Sequence, residues 1–270
     1  MNQDSVKAML LDLENTSLDF SVIFTGKASK RVNGLYKPDT LEILLHNKNF
    51  SSDGQLVYTA IHEYAHHLEH EKLAERMGGL ENAKALSPLR FHTTDFWARF
   101  HRLLEAAEEK GYYKLDPRVS EELGALTEQI RKQVEQNGVF MRELGDLLIK
   151  AQELCRQEKI RYEDYVDRVL LLPRNAARAI TRASLFQVNP AIGGENMKYV
   201  ASLGPEEKRK AAEAQFLAGK SPDTVRSQAG KPAGELDRKT QWEREKNRLE
   251  KTIEALTKRL HIVEENLANL

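Results

Sequence analysis

The sequence has very little cysteine, since Cys155 is the single thiol among 270 residues. One thiol cannot form an internal disulfide, and it excludes any zinc site built from several cysteines. A chain of this kind is typical of a reducing compartment, so we expect a cytoplasmic protein. The neighbours of Cys155 have a helical pattern, which favours a structural, partly buried thiol.

The sequence also lacks an excess of charge of either sign, because Lys and Arg total 41 and Asp and Glu total 41. This balance argues against a protein that coats nucleic acid or anionic membrane through its net charge, although it leaves room for local basic patches. No apolar run approaches the roughly 18 residues of a membrane-spanning helix. Acidic residues near the start, such as Asp4 and Asp12, argue against a secretory signal.

The first part of the chain, 1–115, predicts a small α+β domain. Helical spacing of apolar residues predicts a first helix over 4–13. Stretches rich in β-forming residues predict three short strands, at 18–24, 34–36 and 41–45. Two longer helices follow, one from near Gln55 to the Gly78-Gly79 pair and one from about Thr94.

The rest of the chain predicts helices. We predict a helical domain over 116–219 with separate helices at 120–136 and 139–158, a Gly-, Pro- and Ser-rich linker over 220–235, and a coiled coil over 236–270. In the last segment apolar residues alternate at spacings of four and three, which defines a heptad repeat. Position a holds Ile253, Leu260 and Leu267, and position d holds Leu249, Leu256, Val263 and Leu270. This repeat favours a homo-oligomeric coiled coil over a helix packed back on the body.

The run His62-Glu63-Tyr64-Ala65-His66 indicates a metal site. Two histidines four residues apart on a helix project from one face, so both imidazoles can bind one ion. A catalytic zinc ion needs three protein ligands and an open position for water. Glu63 points toward the same side, where it can accept a proton from metal-bound water and pass it to a leaving amine. The alternative is a polar helix face with incidental histidines.

Two neighbouring histidines fit the same ion less well. His67 points about 100° away from His66 around the helix, which favours a supporting or surface role. His70 lies one turn beyond His66 and would bind only if the helix ran unusually close to the ion.

The third ligand must come from later in the chain. We favour His92 because it directly precedes a helix with strong apolar anchoring. Asp95 is the second choice, and otherwise it could orient a ligand imidazole. The other candidates are Glu81 and Glu105.

The strand region, the His-Glu-x-x-His motif and the later His92-x-x-x-Phe96-Trp97 together resemble the SprT-like, WLM and YgjP-like group of compact zinc metallopeptidases. The resemblance covers about residues 18–105. It implies a zincin-type domain in which the later histidine is the third zinc ligand and the aromatic pair packs behind it. One departure is that several relatives place the third histidine closer to the first pair than His92 lies here.

The resemblance further implies that a strand beside the motif helix binds substrate as an added strand, and 41–45 is the best candidate. An ordinary sheet strand is the alternative. A tyrosine could stabilise the oxyanion, and Tyr36, Tyr112 and Tyr113 are open choices.

In the helical half, Arg174, Arg178 and Arg182 recur at four-residue spacing, as on a recognition helix that contacts nucleic acid. A helical bundle with solvated arginines is the alternative. The sequence therefore predicts a zinc endopeptidase acting on a protein substrate, with Glu63 as the base. The alternative is a DNA-associated regulatory or assembly protein whose zincin-like domain is inactive or regulatory.

Overall fold

The computed structural model describes residues 1–86, 92–230 and 238–268. The chain divides into two compact units, Met1–Ala229 and Gly230–Leu270. Helices make up 71% of the structure, and a three-stranded sheet accompanies them, which agrees with the predicted α+β class. In the described ranges we find no helix with both the length and the apolar character needed to span a membrane.

The sheet lies in the first part of the chain. Its strands are β1 (Ser21–Phe24), β2 (Gly34–Lys37) and β3 (Glu42–Leu45). Their spatial order is β1-β3-β2, with β3 parallel to β1 and antiparallel to β2. The prediction that 41–45 accepts an added strand is therefore wrong, because both edges of β3 are already paired. The edge strands of the sheet are β1 and β2.

Four helices accompany the sheet: α1 (Gln3–Leu13), α2 (Asp53–Met77), α3 (Leu80–Leu86) and α4 (Thr94–Glu109). The helix α2 is capped at both ends, and its end at the predicted Gly78-Gly79 pair is confirmed. Ser52 Oγ accepts a hydrogen bond from the backbone N–H of Gln55, and Gly78 ends the helix with a φ of 77°, in the left-handed region that favours glycine.

The helix α2 occupies the centre of a core to which α1, the sheet and α4 all contribute. Its apolar face is completely buried, and Tyr64, Ile61 and Val57 are each 0% exposed. Phe96 and Phe100 of α4 pack on the same core. Burial of each large side chain contributes about 1.5–3 kcal/mol, so the motif helix is held in place by the core.

A second core lies among the helices that follow: α5 (Glu121–Gln157), α6 (Tyr162–Asp164), α7 (Arg174–Leu185), α8 (Gly194–Ser202), α9 (Glu206–Leu217) and α10 (Pro222–Gly230). The prediction of two helices over 120–158 is wrong, since α5 is continuous. Gly138, which lies between the two predicted helices, is inside α5, and a Cβ atom there would sit 2.1 Å from the carbonyl oxygen of Pro190. The glycine is needed there for close packing.

The linker predicted over 220–235 is wrong in its first part, which forms α10. Ser221 Oγ accepts a hydrogen bond from the backbone N–H of Thr224, and Pro222 starts the helix, where its missing N–H has no cost. Val225 is buried in the second core. Residues 231–235 of the predicted linker lie outside the described residues.

The second unit contains one long helix, α11 (Arg238–Ala268). The apolar heptad side chains in its described part are exposed, for example Ile253 by 62%, Leu256 by 60% and Leu260 by 57%. Leu270, the last predicted d position, lies outside the described residues. Exposed apolar side chains at heptad spacing favour a partner helix that covers them.

We expect the full chain to self-associate through α11. Replacing both Leu256 and Leu260 with Asp places charges in the seam and should convert the oligomer to a monomer in sedimentation equilibrium. Lys251→Asp, at a solvent-facing f position, is the control and should leave the mass unchanged. A monomeric wild-type chain at micromolar concentration would contradict the prediction.

Candidate metal centre

Two histidines on α2 and a third that directly precedes α4 converge on one point. Ligand nitrogens of His62, His66 and His92 all lie within 4.8 Å of one another. The Nε2 atoms of His62 and His92 are 3.1 Å apart. Tetrahedral zinc with bonds of about 2.1 Å separates its ligand nitrogens by about 3.4 Å, so this cluster could hold a metal ion with small side-chain adjustments.

The local sequence explains how His92 reaches the pair on α2. His92 stands immediately before Thr93, whose Oγ1 caps α4 by accepting a hydrogen bond from the backbone N–H of Phe96 at 3.2 Å. The cap fixes where α4 begins and therefore where the preceding residue lies. Phe96 stacks on His66 at a centroid distance of 4.3 Å, and Trp97 stacks on His92 at 5.3 Å.

The environment keeps the two α2 imidazoles neutral. Burial, reinforced by the neighbouring His92, lowers the pKa of His62 to about 4. Burial, together with His62 and His92, lowers the pKa of His66 to about 3. Metals bind the neutral imidazole, so neither side chain has to lose a proton at neutral pH before it can bind an ion.

Glu63 lies beside the histidines and is 7% exposed. Its Oε2 atom accepts a hydrogen bond of 2.8 Å from the backbone N–H of Tyr36 on β2. Burial raises the pKa of Glu63 to about 7, and the Tyr36 hydrogen bond opposes that rise. A carboxyl group tuned in this way can take up and release a proton near neutral pH.

This hydrogen bond requires β2 to run very close to α2. Gly34 permits that approach, because a Cβ atom there would lie 2.8 Å from Thr59 Cγ2 and 2.9 Å from Glu63 Cγ. In the sequence, Asn33-Gly34 has the pattern of a turn. Its actual role is close packing against the motif helix, and no local pattern signals that role.

The other proposed third ligands lie away from the cluster of nitrogens. Asp95 Oδ1 accepts a hydrogen bond of 2.6 Å from Ser227 Oγ on α10. Glu105 pairs with Lys220 at 2.6 Å. Glu81 is on α3 and is not part of the cluster. Asp95 therefore connects α4 to the helical half, and no contact between Asp95 and His92 is found in the part of the chain that the structure describes.

His67 and His70 belong to a buried network that the sequence did not reveal. The hydroxyl of Tyr36 lies 2.9 Å from His70 Nδ1 and 3.2 Å from His67 Nδ1. On its other side, His67 Nε2 lies 3.1 Å from both Thr16 Oγ1 and the carbonyl oxygen of Leu18. The network ties β2 and the loop after α1 to α2, between one residue and about one turn beyond His66.

Of the three tyrosines considered for oxyanion stabilisation, Tyr36 alone lines the cavity at the histidine cluster. Tyr112 donates its hydroxyl hydrogen to Asp12, and Tyr113 packs near Tyr58. The cavity has a volume of about 500 Å³. It extends from the histidine cluster between β2 and the C-terminal half of α2.

The three arginines predicted to contact nucleic acid are exposed on one helix, α7. Arg174 is paired with Asp167, and the guanidinium of Arg182 lies 5.8 Å from the ring centroid of Phe186. Together, Arg174, Arg178 and Arg182 line a small cavity. Because Arg174 is already neutralised, the face is less basic than its sequence suggests, and nucleic-acid binding stays a prediction.

Comparisons of the chain with models of protein families, with curated proteins and with solved structures found no significant match. The resemblance to compact zinc metallopeptidases therefore depends on the sequence motifs alone and stays a prediction.

We expect His92→Ala to lose most of the bound zinc, with affinity falling by more than about 100-fold, because two histidines remain. Zinc per chain is measured by elemental analysis after dialysis against a weak chelator. His261→Ala, which removes an exposed imidazole from α11, is the control and should keep full zinc, as should Asp95→Ala. Full occupancy in His92→Ala would show that the third ligand lies elsewhere.

We expect Gly34→Ala to lower the free energy of unfolding by about 1–3 kcal/mol, because the added methyl group forces β2 away from Thr59 and Glu63. Urea unfolding of the metal-free protein measures the change. Gly54→Ala is the matched control, since the nearest atom to a Cβ there is 3.8 Å away. Equal stability of the two variants would mean that the close approach at Gly34 is unimportant.

Proposed function

We propose that this protein is a zinc-dependent endopeptidase that cleaves peptide bonds in a protein substrate. The observation that carries the proposal is the position of Glu63, a buried carboxyl group that lines the same cavity as the cluster of His62, His66 and His92. A structural zinc site has four protein ligands, whereas three histidines leave one position open, as in hydrolytic sites.

The donor set supports zinc as the metal. Three neutral imidazoles suit zinc, copper, iron or nickel, while carboxylate-rich sites suit calcium or magnesium. No carboxylate oxygen belongs to this cluster among the described residues. When bound, zinc would act as a Lewis acid that polarises the peptide carbonyl and lowers the pKa of water.

The chain's own residues supply the remaining steps. Glu63 accepts the proton that water loses as its oxygen attacks the peptide carbonyl carbon. Glu63 then transfers that proton to the leaving amine nitrogen when the C–N bond breaks. The Tyr36 N–H holds one carboxylate oxygen in place, so the other oxygen is left for the proton. The substrate reaches this point through the cavity between β2 and α2.

The burial of Glu63 supports our proposal of an active site over an inert metal-binding one. Burial of a carboxyl group lowers stability, and buried titratable groups with a shifted pKa cluster at functional sites. A metal site with a purely structural role would not require a buried carboxyl group at Glu63. The pairing of burial with an adjacent cluster of three imidazoles is what hydrolysis requires.

We expect Glu63→Gln to reduce peptidase activity by about 10²–10⁴-fold, because the amide cannot accept the proton from water. Zinc content should stay at one ion per chain, and the fold should persist, since the Gln carbonyl oxygen can still accept the Tyr36 N–H. Activity is measured by mass spectrometry as cleavage of a denatured protein mixture by the zinc-loaded chain.

Glu109→Gln, at the exposed end of α4, is the control and should cleave at the wild-type rate. Cleavage by Glu63→Gln at the wild-type rate would exclude Glu63 as the base. A zinc-loaded wild-type chain that cleaves nothing would remove the endopeptidase proposal and favour the regulatory alternative.

A further inference from the structure

The cavity beside the histidine cluster continues along α2 well past the metal ligands. Its far end is formed by Leu73 together with Lys72 and Arg76, two cations one helical turn apart. These residues have no part in binding the metal or in moving a proton. Their position in the same cavity as Glu63 suggests a role in choosing what enters it.

Lys72 and Arg76 give this end of the cavity a net positive charge. Glu69 also lines the cavity, but its Oε1 atom is paired with Arg99 Nε at 2.8 Å. Lys72 and Arg76 are exposed, and neither forms an ion pair with any residue of 1–86, 92–230 or 238–268. Arg99, by contrast, has two carboxylate partners, Glu69 and Glu14. Two cations without partners favour an anionic group from outside the chain.

The walls around these cations are apolar. Val32 is 45% exposed and Leu35 is 46% exposed, and both face the cavity together with Pro38 and Leu73. Such walls suit the methylene stem of a side chain, while Lys72 and Arg76 suit a carboxylate at its tip. Glutamate combines both features, and aspartate has the same charge on a shorter stem.

Helix geometry gives the distance from the reaction centre. With a rise of about 1.5 Å per residue, Lys72 and Arg76 lie about 9 and 15 Å beyond His66 along α2. Their side chains are long enough to reach several ångströms back toward the ligands. An extended peptide advances about 3.3 Å per residue, so the matching side chain is about two to four residues from the scissile bond.

We propose that Lys72 and Arg76 form a subsite that selects peptides with an acidic side chain two to four residues from the cleaved bond. This inference rests on the proposed endopeptidase function. It names the substrate class as acidic peptide segments, which the sequence motif alone does not indicate.

The first test maps the cleavage sites of the zinc-loaded wild-type chain in a tryptic peptide library from a cell lysate, with Glu63→Gln as the blank. We expect Asp and Glu to be enriched at one fixed position, two to four residues from the scissile bond. If the library is cleaved but neither Asp nor Glu is enriched at any such position, the proposal is overturned and the endopeptidase function is left intact.

The second test compares two peptides that differ only by Glu or Gln at the enriched position. We expect kcat/KM to favour the Glu peptide about tenfold, mainly through KM, and the ratio to shrink at 0.5 M salt, where exposed charges are screened over about 4 Å. In the double variant Lys72→Glu/Arg76→Glu the ratio should invert in favour of Gln.

The control is the double variant Lys27→Glu/Lys48→Glu, which makes the same change of net charge at exposed positions outside the cavity. It should keep the wild-type ratio, and zinc content should be equal in all chains. A ratio that stays the same in the Lys72/Arg76 variant, or that changes equally in the control, overturns the subsite. No cleavage by the wild type overturns the endopeptidase function and the subsite with it.

Discussion

The contact between the edge strand β2 and the motif helix α2 is the constraint on which the site depends. Glu63 is buried, and a buried carboxylate must have a hydrogen-bond donor. The backbone N–H of Tyr36 supplies it at 2.8 Å, which is possible only because Gly34 has no side chain to hold the strand away. The phenol of Tyr36 extends the same contact to His67 and His70, so one strand residue contacts both Glu63 and the next turn of α2.

The second part of the site depends on where α4 begins. Thr93 caps this helix directly after His92, and Phe96, Trp97 and Phe100 anchor it on the core and against the histidine rings. Polar contacts from Ser221 and Ser227 reach α4 at His101 and Asp95. The helical half therefore supports the helix that directly follows the third histidine, within the same compact unit.

The cavity next to this cluster has two different ends. At one end, burial keeps His62 and His66 neutral and raises the pKa of Glu63. At the other end, Lys72 and Arg76 are exposed cations beside apolar walls. Proton transfer benefits from a dry, low-dielectric environment, whereas recognition of a charged side chain works at a solvated edge. Because α2 is long, its histidines and the exposed pair Lys72 and Arg76 lie in separate environments of the same cavity.

Local sequence determined the elements with strong periodic or chemical signals. Helical spacing placed α1, α2 and α4, with α4 beginning at the predicted Thr94, and the His62–His66 spacing put two imidazoles on one face. These features depend on neighbours within a few residues, so a sequence pattern can predict them. The heptad repeat of α11 was equally visible, because the position of each apolar residue is a local property.

Only the tertiary structure decided the features that depend on distant residues. The central position of β3, the continuity of α5 through Gly138 and the helix at Pro222–Gly230 each result from packing against segments far away in sequence. The same holds for the partner of Asp95, 132 residues away, and for the network around Tyr36. The sequence by itself determined which side chains could bind a metal. Folding decided which of them meet, because burial and close approach are properties of the packed chain.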